Sequence, residues 1–121
     1  MLRTVAISLL AAGCALVTQP PPPGTVRVQA QVRNVGNVAV ELGVSTPAGE
    51  LDGAVQPALL APRATAQVTF YLPIAARDWW ITVNGAGMFP AEDANQYVRQ
   101  QCRLFMEVNV DGSGGIGCSG P

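Results

Sequence analysis

Charged side chains are scarce in this 121-residue sequence, and two ionisable residue types are missing altogether. Asp, Glu, Lys and Arg make up 12% of the chain, against about 25% in an average soluble domain. All seven basic residues are Arg, so there is no Lys and no His. Without His, the Ser–His and Cys–His nucleophile pairs and His-ligated metal sites are excluded. The net charge of −1 gives no electrostatic reason to bind nucleic acid.

The apolar run near the start of the chain is too short to cross a membrane. Val5 to Ala12 spans about eight uncharged residues, whereas a transmembrane helix needs roughly 20. Arg3 supplies a positive charge before the run, and small residues follow it. This arrangement is typical of a secretory signal peptide, whose apolar region runs about 7–15 residues. The alternative, an amphipathic helix, is disfavoured because no polar face recurs at helical spacing.

The run ends in Leu10-Ala11-Ala12-Gly13-Cys14, which resembles the lipobox of bacterial lipoprotein signal peptides. The resemblance implies removal of residues 1–13 and attachment of a diacylglycerol group to the thiol of Cys14. It also implies an exported protein, anchored to a bacterial membrane and facing the periplasm or the exterior. Ala11 stands where the family most often has Leu. The alternative is conventional cleavage after Ala15, with Gly13 and Ala15 as the small pair.

Residues 14–24 read as a tether for whatever follows. Four consecutive prolines, Pro20 to Pro23, favour the extended polyproline II conformation at ~3.1 Å per residue. Ten such residues would hold a domain up to roughly 30 Å from the lipid anchor. We therefore expect one folded domain over residues 25–121.

The cysteine count supports this assignment. If Cys14 is acylated, Cys102 and Cys118 remain as an even pair that can form one disulfide in an oxidising compartment. The alternative is two unrelated buried thiols. A turn centred on Gly112–Ser113 would place Cys118 opposite Glu107, so we expect the disulfide to tie the tail across the fold rather than to staple a hairpin.

From Val26 onward, apolar residues recur at every second position, as in strands with one buried face. The first two such segments are Val26–Asn34 and Val38–Ser45, and the turn-forming residues 34–37 between them predict a hairpin. A Pro- and Gly-rich crossing follows from Thr46 to Pro62. The positions expected to face the core in these two segments are Val26, Val28, Ala30, Val32, Val38, Val40, Leu42 and Val44.

Three further strands are predicted, at Ala64–Leu72, Trp79–Asn84 and Cys102–Val110, with an irregular segment from Gly85 to Gln101 that contains one helical turn near Ala91–Tyr97. Short strands at this spacing, without helical periodicity, indicate an antiparallel sandwich or barrel. The remaining positions expected to face the core are Ala66, Val68, Phe70, Leu72, Cys102, Leu104, Met106, Val108 and Val110.

Two segments, Val32–Val44 and Leu59–Pro73, resemble bacterial immunoglobulin-like modules of the CARDB-like adhesion type. Those modules carry a V-x-N-x-G-N turn and, later, L-x-P-G-x-x-x-x-V-x-F before a core strand; Arg63 stands here where Gly is usual. The resemblance implies an all-β, antiparallel immunoglobulin-like β-sandwich with a binding or spacer role. The matching residues are Val32, Asn34, Gly36, Asn37, Leu60, Pro62, Val68 and Phe70.

Two motifs have a chemical interpretation, and in each case a simpler one is favoured. Glu92 and Asp93 could form a carboxylate pair, but adjacent carboxylates in a loop are usually only solvated. The segment Asn109–Ile116 follows the first eight positions of an EF-hand loop, with Gly112 at position six. Gly120 stands where that loop needs a bidentate Glu, so a glycine-rich turn is the better interpretation. We predict no catalytic residue, no metal and no cofactor.

Asp78-Trp79-Trp80 is the segment with the most potential for binding. Adjacent strand residues point to opposite faces, so one Trp should enter the core. The other could form an aromatic platform for a glycan or a partner protein, with Tyr71 or Phe105 nearby. The alternative is that the loop from Gly85 to Gln101 covers it.

The sequence thus predicts a non-catalytic cell-envelope lipoprotein, acting as an interaction or scaffolding module. Two alternatives stay open. The first is a glycan- or small-ligand-binding protein that uses Trp79, Trp80 and Tyr71. The second is an inhibitor of an envelope-directed enzyme. Its expected partners are the membrane, through the lipid anchor, and an envelope protein or glycan.

Overall fold

A computed structural model describes residues 21–100 and 102–119, which form ten strands and one helix. The predicted signal peptide and Cys14 lie outside these residues. In chain order the elements are β1 (Val26–Asn34), β2 (Val40–Thr46), β3 (Gly49–Glu50), β4 (Val55–Gln56), β5 (Leu59–Leu60), β6 (Thr65–Leu72), β7 (Trp80–Val83), β8 (Ala86–Pro90), α1 (Ala91–Val98), β9 (Arg103–Val108) and β10 (Gly114–Ser119).

The strands form two five-stranded sheets that share one hydrophobic core, so the fold is all-β and sandwich-like. The first sheet has the order β10-β9-β1-β6-β4. The second has the order β3-β2-β7-β8, with β5 paired to β2 as well. In the part of the chain that the structure describes, no helix has the length and apolar character to span a membrane.

The predicted alternation places most of the expected residues in the core. Phe70 and Met106 are completely buried, as are most of the inward valines. The exceptions lie at or beyond strand ends, where no second sheet covers them: Val26, Val38 and Val110 are exposed. Alternation therefore identified the buried face of each long strand, and it failed only where a strand begins or stops.

The predicted hairpin between the first two strands is wrong. β1 pairs antiparallel with β6 in the first sheet, whereas β2 pairs with β7 in the second. At the end of β1 the backbone N–H of Asn34 bonds to the carbonyl of Ala64 at 2.9 Å. The N–H of Val35 then bonds to the carbonyl of Val108 at 3.0 Å. These peptide groups are used within the first sheet, so the next residues cross to the second sheet instead of turning back.

The expectation of a purely antiparallel fold also needs correction, because β9 runs parallel to β1. A parallel pair cannot be joined by a tight turn and needs a long connection. Here almost the whole fold lies between the two strands, and α1 precedes β9 in the chain. The other ladders between described strands are antiparallel.

The segment predicted as irregular contains a strand followed by the expected helix. β8 pairs with β7 and ends at Pro90, and α1 starts at the next residue. The first helical N–H, on Ala91, bonds to the carbonyl of Trp79 at 2.9 Å. Alternation of apolar residues did not predict β8. Its pairing with β7 is irregular, because the register between the two strands shifts between Ile81 and Thr82.

The last two strands form a hairpin, contrary to expectation. Leu104 pairs with Cys118, which puts Asp111 rather than Gly112–Ser113 at the centre of the turn. Cys102, just before β9, then comes to disulfide distance from Cys118, with 5.5 Å between their Cα atoms. This is the pair predicted from the cysteine count, and it does staple the hairpin.

Candidate functional site

The two adjacent tryptophans lie on opposite sides of the second sheet, as alternation predicts. Trp79 is only 1% exposed, and its indole Nε1 donates a hydrogen bond to the carbonyl of Ala76 at 3.1 Å. Trp80 is 44% exposed. Trp79 therefore cannot contact a ligand without unfolding of the core, and Trp80 alone remains as a surface aromatic of this pair.

Trp80 opens β7 and is held between two neighbouring strands. Its partners in the register are Ser45 of β2 and Pro90 of β8. The indole lies against Gly87, since a methyl group at that glycine would be 2.9 Å from Cε3 and 3.0 Å from Cδ2 of the ring. Only glycine leaves room for the ring at this position. The loop from Gly85 to Gln101, expected as an alternative to cover the second Trp, leaves nearly half of Trp80 accessible.

Beside this ring is an open depression of about 370 Å³ on the outer face of the second sheet. We call it the Trp80 depression; its lining residues are Ser45, Trp80, Thr82, Gly85 and Gly87. Thr82 is 1% exposed, and its hydroxyl has no hydrogen-bond partner. A Cβ on Gly43 would lie 2.8 Å from this hydroxyl and 2.8 Å from Oε2 of Glu50. Both oxygens therefore lie over the bare backbone of Gly43, and Gly43 and Glu50 themselves line a separate, smaller cavity of about 140 Å³.

Tyr71 does not belong to this site. It lies on β6 of the first sheet, between Phe70 and Leu72, which are both completely buried. Its side chain therefore points away from the core on the side of the molecule opposite to Trp80. Phe105 lies on β9 of the same first sheet, between Leu104 and Met106. The prediction that Tyr71 or Phe105 lies near Trp80 is therefore wrong, because both lie on the other sheet.

A second cavity, of about 560 Å³, lies along α1. Glu92 lines it and Asp93 is exposed one residue further on. Asn95 is largely buried at its wall, and Asn95 Oδ1 has no hydrogen-bond partner. Arg77 and Arg99 complete the lining with Gln96 and Ala91. The exposed carboxylate of Glu92 thus lies among cationic and amide side chains, and no second carboxylate is among the residues that line this cavity.

In the loop that resembles an EF-hand, the carboxylate of Asp111 is hydrogen-bonded within the loop itself. Asp111 Oδ1 accepts hydrogen bonds from the backbone N–H of Ser113 at 2.8 Å and from its hydroxyl at 2.6 Å. The bond from the Ser113 hydroxyl is the main cause that lowers the pKa of Asp111 below 3.8. Asn109 Oδ1 is directed at Gly36 instead. Among residues 21–100 and 102–119, no group of three or more Cys, Asp or Glu is placed to hold a metal ion.

One polar residue, Asn34, is buried although the sequence did not predict it. Asn34, expected only to form a turn, is completely buried. Its Nδ2 donates to the carbonyls of Val38 at 2.8 Å and Ala61 at 3.1 Å, while Oδ1 accepts from the N–H of Gly36 at 3.0 Å. Period two contained the signal, because Asn34 continues the inward series of β1.

Compared with protein-family models, with curated proteins and with solved structures, the chain matches none.

Proposed function

We propose that this protein is a non-catalytic lipoprotein of the bacterial cell envelope that displays a binding module on a proline-rich tether. The observation that carries the proposal is the position of Cys14. It ends an apolar run, follows Gly13, and is itself followed by four consecutive prolines shortly before β1 begins at Val26. A lipid on Cys14 would leave the sandwich within roughly 30 Å of the membrane.

We further propose that the module is immunoglobulin-like. In such folds one sheet has the strand order A-B-E-D and the other contains C, F and G. The order β9-β1-β6-β4 opposite β2-β7-β8 supports this assignment, with β1 as B and β2 as C. Two differences are specific to this chain. β9 takes the place of strand A from the other end of the sequence, and the core Trp79 precedes the F-like strand rather than lying on C.

A binding role agrees better with the described surface than a reaction does. None of the five residues that line the Trp80 depression titrates, and the carboxylate of Glu50, which lies nearby at Gly43, makes no hydrogen bond to the hydroxyl of Thr82. Nucleophilic catalysis by a hydroxyl group needs a general base within hydrogen-bond reach of that hydroxyl. The cavity along α1 is lined by one carboxylate, that of Glu92, together with arginine and amide side chains, which are suited to binding a ligand.

The anchor is tested by expressing the wild-type chain and Cys14→Ser in a bacterium and separating membrane from soluble fractions. We expect the wild-type chain in the membrane fraction, with an amino-terminal residue that carries the mass of an acylated cysteine. Cys14→Ser should lose both properties. Cys118→Ser serves as the control, because it makes the same Cys-to-Ser change and breaks the bond to Cys102 but leaves the acyl attachment point.

Equal release of the wild-type and Cys14→Ser chains into the soluble fraction would contradict the proposal. A mature chain that begins at Leu16 without lipid would instead support conventional cleavage after Ala15.

A further inference from the structure

We propose that the Trp80 depression binds a sugar ring of a neutral glycan. In this arrangement the indole of Trp80 packs on the C–H face of the sugar. Thr82 and Glu50 then bond to its hydroxyl groups. The site lies wholly within the sandwich and does not depend on Cys14, so it stands or fails separately from the lipid anchor.

The aromatic wall is held in one orientation before any ligand arrives. The ring of Trp80 rests on the backbone at Gly87, where even a methyl group would come within 2.9 Å of it. The residue nevertheless remains 44% exposed. A large ring fixed on one side and open on the other loses little conformational freedom on binding, which favours a stacking contact.

The polar wall contains a group that lacks a partner. The hydroxyl of Thr82 is buried and makes no hydrogen bond, although buried polar groups are nearly always paired in folded proteins. Thr82 lines the depression, but its hydroxyl oxygen is covered in the free protein, with Oε2 of the exposed Glu50 side chain nearby, so a ligand hydroxyl reaches it when that side chain moves aside. An unpaired buried group of this kind gives specificity, because a ligand without a matching hydroxyl leaves it unpaired.

Glu50 adds a strong acceptor beside the depression, because it is the cross-strand partner of the lining residue Ser45. Its Oε2 and the hydroxyl of Thr82 both lie 2.8 Å from the position that a Cβ would take on Gly43. The absence of a side chain on Gly43 therefore leaves space for both oxygens. A carboxylate accepts but cannot donate, whereas a threonine hydroxyl does both. Together they suit a ligand that offers several O–H groups along one edge.

The chemistry of the lining selects the ligand class. There is one aromatic ring, whereas cages for quaternary ammonium groups use several. No Arg lines the depression, so an anionic ligand has no cation to pair with. A ring that is apolar on one face and hydroxylated at its edge satisfies both walls, and sugars have this shape.

Binding is tested with the purified full chain, kept in a detergent without a sugar headgroup. The probes are chitotriose and cellotriose, followed by calorimetry and by quenching of tryptophan fluorescence. The chain contains two tryptophans, and only Trp80 is accessible to a soluble quencher. We expect a dissociation constant on the order of 1 mM for at least one trisaccharide, as for a shallow one-ring site, and protection of Trp80 from the quencher.

Variants separate binding from folding. Trp80→Ala should weaken binding about tenfold or more, since it removes the stacking surface. Thr82→Val should weaken it about fivefold while leaving the thermal midpoint unchanged or raised, because the hydroxyl it removes has no partner in the protein. Tyr71→Ala, an aromatic truncation on the opposite outer face, should leave the affinity unchanged.

The proposal is overturned if neither trisaccharide binds, or if either binds equally well to Trp80→Ala or to Thr82→Val. Binding of trimethyllysine at Trp80 in place of both sugars would overturn it as well. Selective binding of chitotriose or of cellotriose would support it and would identify N-acetylated or plain hexose units as the ligand.

Discussion

Asn34 connects the two sheets at a single buried side chain. It ends β1, yet its amide reaches the carbonyls of Val38 before β2, of Leu60 in β5 and of Ala61 just after it. A carbonyl buried without a partner costs about 1–3 kcal/mol. The side chain therefore supplies hydrogen bonds at the point where the backbone leaves one sheet for the other.

At this residue scale we predict that Asn34→Ala lowers the free energy of unfolding by about 2–4 kcal/mol, because it leaves several buried polar groups unpaired. Denaturant unfolding followed by circular dichroism measures the effect. Asn37→Ala is the matched control: Asn37 is exposed in the same turn and bonds only to Nε of Arg63, at 3.0 Å. Equal effects of the two substitutions would refute the role assigned to Asn34.

At the scale of secondary-structure elements, the hairpin of β9 and β10 is held by the disulfide between Cys102 and Cys118. β10 has the sequence Gly114-Gly-Ile-Gly-Cys-Ser119 and forms the edge of its sheet, so it buries little apolar surface. Glycine in a strand also loses much conformational entropy on folding. The bond between Cys102 and Cys118 closes the segment that contains this weak strand.

We predict that replacing both cysteines by Ala lowers the free energy of unfolding by about 3 kcal/mol, the value expected for a closed loop of roughly 15 residues. Urea unfolding of Cys102→Ala/Cys118→Ala against the wild type measures it. Addition of a reducing agent should shift the wild type towards the variant and leave the variant unchanged. An unshifted midpoint in the double variant would show that the hairpin does not need the bond.

On the scale of the whole molecule, Trp79 is the largest fully buried side chain, and it belongs to the one core that both sheets share. We predict that Trp79→Ala costs about 3–5 kcal/mol through the cavity it leaves, and that both sheets unfold in one transition. Trp80→Ala, at the neighbouring exposed position, should cost about 1 kcal/mol. Thermal unfolding followed by near- and far-ultraviolet circular dichroism makes the comparison. Two separate transitions would contradict a shared core.

The sequence determined the strands with long alternation, their buried faces, the cysteine pair and the division of the two tryptophans. These properties follow from local periodicity and from counting, and they need no knowledge of which strand lies beside which. Only the tertiary structure decided that β1 and β2 belong to different sheets, that β9 runs parallel to β1, and that Tyr71 lies across the molecule from Trp80. Strand pairing depends on the hydrogen bonds that distant peptide groups make, such as the bond from Val35 to Val108. The Trp80 depression likewise arises where β2, β7 and β8 meet, through contacts at Gly43 and Gly87 that no local pattern contains.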